Sequence, residues 1–269
     1  MNRRTMILSL AALVGLVLAT AGCGGVWAQL RARDQLNKGV NAFRNGSFAV
    51  AVEHFKRAVE LDPTYMNARL YLASAYMSQY VPGAPSEENK RMAEAAEKGF
   101  FDVLEREPNN ALAIESLGSL AFNQQKLDEA KKWYQKLIEL DSNKKTAYYT
   151  IGVINWTKCF QPQTETWAKL GMRPDDPGPI KDKKAREELR AKNETVAHEG
   201  IQMLERALQI DPEYDDAMAY MNLLIRQKAF IAETVEENKK LGLEADGWMQ
   251  KSLATRKKRS EQPAQPKAG

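Results

Sequence analysis

Histidine, cysteine and clustered acids are the side chains that could do chemistry in this chain of 269 residues, and they are sparse. The histidines are His54 and His198. Neither has a second histidine at the four-residue helical spacing of zinc proteases. The thiols, Cys23 and Cys159, do not form a paired-cysteine motif. Asp211, Asp215 and Asp216 lie close together, but not at calcium-loop spacing. They fit the start of a helix, where carboxylates complement the positive end. Asp175-Asp176 could touch a cation or form a solvated turn. Asn193-Glu194-Thr195 has the form of a glycosylation acceptor but falls on a predicted helix and receives no role. No glycine-rich phosphate loop or serine elbow is present. The expectation is therefore no catalytic residue, no metal, no cofactor and no small-molecule substrate.

The elements that must hold these residues are helices arranged in a period. Three stretches end alike: Ala51 through Phe55 to Leu61-Asp62-Pro63, Ala130 through Tyr134 to Leu140-Asp141, and Gly200 through Leu204 to Ile210-Asp211-Pro212. In each, a large apolar residue follows a small one by four positions, and an Asp follows it by eleven. Around the middle copy, Ile114, Leu117, Gly118 and Ala121 share one helical face, and Leu127, Ala130, Tyr134 and Leu137 share the next. The link Asn123-Gln124-Gln125-Lys126 is short and polar, so the two helices must turn back on each other. Gly118 and Ala130 are small where those helices would cross. No sustained alternation of β-branched residues argues for strands.

This pattern resembles the tetratricopeptide repeat, a helix–turn–helix unit of roughly 34 residues. The first copy matches at Gly39, Phe43, Gly46, Phe48, Ala51, Phe55, Ala58 and Pro63. The second matches at Leu72, Ala73, Tyr76, Ala96, Phe100, Val103 and Pro108, and the third has Ser142 where Pro is usual. The fourth opens at Tyr148, Ile151, Gly152 and Asn155 and resumes at Gly200, Leu204, Ala207 and Pro212. The fifth has Asn222 in the usual glycine place and a divergent second helix over Ala245–Leu253. The resemblance implies an all-α, right-handed α-solenoid of about five hairpins, with repeats over 32–65, 66–110, 111–144, 145–214 and 215–254.

Insertions interrupt the period at 79–90 and at 157–184. The longer one carries Pro162, Pro174, Pro177 and Pro179, which argue against a continuous helix. It also carries Trp167, Leu170 and Met172, apolar groups that either pack back on their own domain or bind something.

At the start, Arg3-Arg4 precede an uncharged run ending at Cys23, the form of an export signal over 1–22. Leu18 to Cys23 resembles a bacterial lipobox, which would make Cys23 the lipidated N-terminus of a lipoprotein and leave Cys159 without an internal disulfide partner. Cleavage after Ala28 and an uncleaved anchor are the alternatives. The resemblance places the protein in the bacterial cell envelope, facing the periplasm, with the outer membrane expected because Gly24 rather than Asp follows the cysteine; a soluble periplasmic or secreted form is the alternative. Cys159, beside Trp156 and Phe160, fits a small buried apolar residue.

Formal net charge is +4, and Arg3 and Arg4 supply two of those charges, so the mature chain is nearly balanced and lacks the footprint of a nucleic-acid binder. Arg256-Lys257-Lys258-Arg259 would end the last helix, and a basic, Pro-containing tail over 255–269 would be disordered. In the family resembled, first helices line the concave wall. The matching positions give a groove of Phe43, Leu70, Met77, Phe122, Tyr149 and Trp156, without the Lys/Asn set by which some members clamp a terminal carboxylate. The reading is a non-catalytic protein-interaction scaffold that binds a peptide or protein segment. A structural subunit of a larger envelope assembly, of outer-membrane biogenesis or pilus type, is the alternative. An enzyme using the 157–184 insertion is the third.

Overall fold

A computed structural model of the chain describes residues 25–173, 176 and 178–261. The signal and Cys23, and the tail beyond 261, lie outside the described residues. Among the described residues the regular structure is entirely helical: α1 over 25–44, α2 Phe48–Leu61, α3 Met66–Met77, α4 Glu87–Leu104, α5 Ala111–Asn123, α6 Leu127–Leu140, α7 Lys145–Leu170, α8 Lys183–Ile210, α9 Asp215–Phe230 and α10 Val235–Glu261. The chain divides into two compact units, Met1–Gln124 and Gln125–Gly269.

The recurring aspartates have a local cause. Asp62 accepts a hydrogen bond from the backbone N–H of Thr64 at 3.0 Å, Asp141 from Asn143 at 2.9 Å, and Asp211 from Glu213 at 3.0 Å. In each case the aspartate's own N–H donates back to the helix, to Ala58, Leu137 and Ala207 respectively. One side chain thus turns the chain out of one helix and into the next. Ser142 can replace proline because the carboxylate, rather than the ring, sets the turn.

In the first unit, α1 and α2 run antiparallel. Phe43 and Phe48 meet edge-on beside the link, with ring centroids 5.2 Å apart, and His54 Nδ1 lies 2.9 Å from Gln35 Oε1 further along. Leu36, Ala51, Val52, Phe55, Ala58, Ala68 and Ala75 form the core. The 79–90 insertion is a stapled loop. The side chain of Asn89 accepts from the N–H of Val81 and donates to the carbonyls of Val81 and Ala84 at 2.7–2.9 Å. Ser86 then caps α4 through the N–H of Asn89.

In the second unit, Gly152 and Gly200 bring α7 and α8 into close contact. A Cβ on Gly152 would lie 2.6 Å from Leu204. Tyr148, Cys159, Leu204, Met221, Leu224 and Ala245 belong to its core. Asn222, in the glycine place, donates to the carbonyl of Ala245 at 2.7 Å and so ties α9 to α10 by a hydrogen bond rather than by close approach.

Three expectations change here. The 157–184 insertion is not one continuous helix, since α7 ends at Leu170 and α8 begins at Lys183, but the break falls after Leu170 and not at Pro162. Proline removes one backbone hydrogen bond, but the helix around it is clamped from outside: Asn193 on α8 donates to the carbonyl of Cys159 at 2.9 Å. The last helix starts at Val235 rather than Ala245. Residues 255–261, assigned to the tail, continue α10 because Arg256 and Arg259 are tied to Asp215.

Candidate functional site

The second unit carries the most developed surface, and α7 and α9 build it together. Tyr149 and Trp156, seven positions apart on α7, fall on one helical face. Tyr220 on α9 meets both of them edge-on or nearly so, with ring centroids 5.6 Å away in each case. Tyr214 extends the row at 5.0 Å from Tyr149, and Phe160 stacks on Trp156 at 5.1 Å. Sequence reasoning found Tyr149 and Trp156 but missed Tyr214, which lies in the turn before α9, and Tyr220, which lies on α9 outside the family positions used for the groove. Tyr149, Trp156, Tyr214 and Tyr220 are each half-buried.

Burial, helped by Tyr220 and Asp216, raises the Tyr149 phenol well above its usual range. Burial and then Asp216 push Tyr214 up to about 12. Tyr220 shifts upward for the same reasons. The row is therefore uncharged over the physiological range, with flat apolar faces and hydroxyl tips. Lys145 reaches Tyr214 from the side, with its Nζ 5.1 Å from the ring centroid, while pairing with Asp211.

Beyond Phe160 the row opens on a cavity of about 460 Å3, bordered by Trp156, Phe160, Trp167, Leu223 and Phe230. Its walls come from the extra turns of α7 and from α9, with Gly242 of α10 at its edge. The 157–184 insertion therefore packs on its own unit. Trp167 lies edge-on to Phe230 at 5.1 Å, and Ile180, Leu189 and Ile231 form a small core with Met172 against it. Cys159 is buried beside this region, and burial raises its thiol to about 12, which suppresses the thiolate that a nucleophile needs. Asn193 is buried and hydrogen-bonded, so it presents no glycosylation site.

The remaining groove positions lie in the first unit, where Phe43, Leu70, Met77 and Phe122 are each half-buried. Of these, Phe43 is committed to Phe48. Among the described residues no group of three or more His, Cys, Asp or Glu side chains is placed to hold a metal ion. No helix among them is long and apolar enough to cross a membrane.

These hairpins define a helical-repeat protein. Residues 36–99 and 113–144 match family models described as tetratricopeptide repeat, and the chain carries repeats of that type. Among solved structures it is similar to a crystal structure of MamA protein, at 18% identity and a TM-score of 0.54, over 88% of this chain and 98% of that one. It is likewise similar to MamA 41-end from Desulfovibrio magneticus RS-1, at 15% identity and a TM-score of 0.56, over 87% and 98%. These likenesses establish the fold class, an all-α array of tetratricopeptide hairpins of the α-solenoid kind. No curated protein matches the sequence.

Proposed function

We propose that the protein is a non-catalytic interaction scaffold of the bacterial cell envelope that binds a peptide or protein segment on the inner faces of its first helices. The observation that carries this reading is the row Tyr214–Tyr149–Tyr220–Trp156. Half-buried aromatics held in place by one another lose little entropy on binding, and such residues dominate interface energies. Phe43, Leu70, Met77 and Phe122 are the proposed contacts of the first unit, and Tyr149 and Trp156 those of the second.

The envelope address rests on the lipobox-like segment ending at Cys23. Support comes from the start of α1, where Val26, Trp27 and Leu30 are exposed just after that cysteine. Tryptophan with small apolar neighbours suits a membrane–water interface, and a lipid on Cys23 would hold those residues there.

The test places a photo-crosslinking residue at Leu223, beside the aromatic row, and isolates the full chain from membranes. One reproducible partner is expected, reduced about ten-fold or more by Tyr149→Ala with Trp156→Ala, a loss of the size that hot-spot truncation gives. Helicity should stay intact. Capture that is unchanged in the double variant would refute the aromatic contacts. Metabolic labelling with a radioactive fatty acid should be lost in Cys23→Ala. Unchanged labelling would refute the anchor.

A further inference from the structure

The cavity beside Trp167 contains an unfinished hydrogen-bond chain. It begins at the backbone carbonyl of Cys159, which can only accept, so Asn193 Nδ2 is the donor at 2.9 Å. The same nitrogen lies 3.5 Å from Gln227 Oε1. Gln227 Nε2 in turn donates to Gln163 Oε1. The Nε2 of Gln163, a residue that lines the cavity, is left over with no partner. One helical turn further along α7, Trp167 Nε1 is likewise without a partner. Gln163 is 1% exposed and Trp167 8%, so bulk water does not stand in for the missing acceptors. A buried donor left unsatisfied costs on the order of 1–3 kcal/mol.

An amide NH2 and an indole N–H four residues apart on one face present donors only. The walls around them, Trp156, Phe160 and Phe230, are flat and apolar. Arg226, exposed and paired with Asp246, is also on the lining. Among the described residues the one acid on the lining, Asp176, is already engaged by the backbone N–H of Arg173 at 2.8 Å. What completes this arrangement is an acceptor at the end of an apolar body, with negative charge tolerated near Arg226.

We infer that this cavity is a binding site for a small apolar monocarboxylate, whose carboxylate oxygens accept from Gln163 Nε2 and Trp167 Nε1 while its hydrocarbon part lies against the aromatic walls. A cavity of this size falls in the range of small-molecule sites. The inference goes beyond the scaffold reading and does not depend on it, since no protein partner takes part.

The test uses the full-length protein in detergent with two probes, decanoate and 4-phenylbutyrate, and with butylbenzene as the counterpart lacking an acceptor. Titration is followed by the indole N–H resonances in a 15N spectrum, and Trp167→Phe assigns the signal among the five tryptophans. At least one carboxylate should shift the Trp167 signal saturably. Butylbenzene should bind about ten-fold more weakly or worse, the loss expected when a hydrogen bond to a charged group is removed. Gln163→Leu should weaken the carboxylate by a similar factor. If that variant loses helicity, Trp167→Phe, which removes the donor and part of the apolar wall, reads the loss by calorimetry, with butylbenzene affinity in the same variant separating the wall from the donor. No shift with either acid, butylbenzene bound as tightly as the acids, or undiminished affinity in Trp167→Phe would overturn the site.

Discussion

Replacing Asp215 with Asn should loosen the last hairpin selectively. Asp215 begins α9 and is 0% exposed, and its carboxylate receives Arg256 Nε at 2.9 Å, Arg259 Nη1 at 2.7 Å and Arg259 Nη2 at 2.9 Å. Very little apolar burial competes with this clamp. Along the 27 residues of α10 only Ala245 and Ser252 are buried, so the end of the helix is held mainly by polar contacts. A fully buried ion pair that loses one partner costs about 3–5 kcal/mol, whereas an exposed pair contributes about 0–1 kcal/mol. The present case lies between these limits. Arg256 and Arg259 are 54% and 62% exposed and can rehydrate when the carboxylate is gone. The variant also loses a negative charge at a helix start, worth a few tenths of a kcal/mol, but relieves the desolvation of a buried carboxylate. The balance is about 2 kcal/mol.

At 1.4 kcal/mol per decade, that is roughly a thirty-fold rise in the opening equilibrium of the hairpin. Amide hydrogen exchange reads it directly, since a terminal repeat opens without global unfolding. Peptides covering 245–261 should exchange roughly thirty-fold faster in Asp215→Asn, with α7 and α8 unchanged. Arg259→Gln should reproduce much of the effect, and adding it to Asp215→Asn should cost little more, because the two residues share one interaction. Acceleration below about three-fold would refute the reasoning and return the stability of α10 to Trp248 and Leu241, the half-buried apolar side chains that pack on the core.

Acid should act on the same hairpin. Burial alone would raise the Asp215 carboxyl, but the hydrogen bonds from Arg256 and Arg259 outweigh it and hold the group below its usual range. Its folded-state value is depressed, so its stabilisation is present above the unfolded value of about 3.9 and lost as pH falls below it. Exchange in α10 should therefore quicken below about pH 4, before the helical signal of the whole chain falls. Gly152→Ala and Gly247→Ala should have opposite signs in urea midpoints. The first puts a Cβ 2.6 Å from buried Leu204, an overpacking cost of about 1–3 kcal/mol that outweighs the helix gain. The second meets nothing within 4 Å and should stabilise by about 0.5–1 kcal/mol. Replacing Gln163 and Gln227 together by Leu should leave stability within about 1 kcal/mol of wild type or raise it, because both ends of the amide–amide hydrogen bond are removed at once. A loss beyond about 2 kcal/mol in the urea midpoint would show that the amides serve packing.

Much of the hairpin framework was legible because the repeat obliges the same residue types to recur. Small residues such as Gly39 and Gly152 mark close helix contacts, and Asp62, Asp141 and Asp211 mark turns. Each carries its signal within a short window. The second helix of the fifth repeat was not legible because its determinants lie across the hairpin. Arg259 is fixed by Asp215, 44 positions earlier, and no local pattern announces the pair. The persistence of α7 through Pro162 was hidden for the same reason, since Asn193 clamps the helix from 34 positions away. Tyr149 and Trp156 could be found by register within a helix. Tyr214 and Tyr220 could be added only once α7 and α9 were known to face each other.

The cavity follows from a mismatch of helix lengths. Helices α5 and α6 have 13 and 14 residues, whereas α7 and α8 have 26 and 28. The added turns project past the layer that a regular repeat fills, and their inner faces need cover. Ile180, Leu189 and Ile231 supply part of it. Further apolar side chains at positions 163 and 227 could have filled the remainder, because the neighbouring walls are already aromatic. Glutamines stand there instead, buried, with one nitrogen unpaired. A core selected for stability alone gains nothing from a half-satisfied amide pair in apolar surroundings. A site that must present donors to something entering from outside does gain, and the geometry of Gln163 and Trp167 is of that kind.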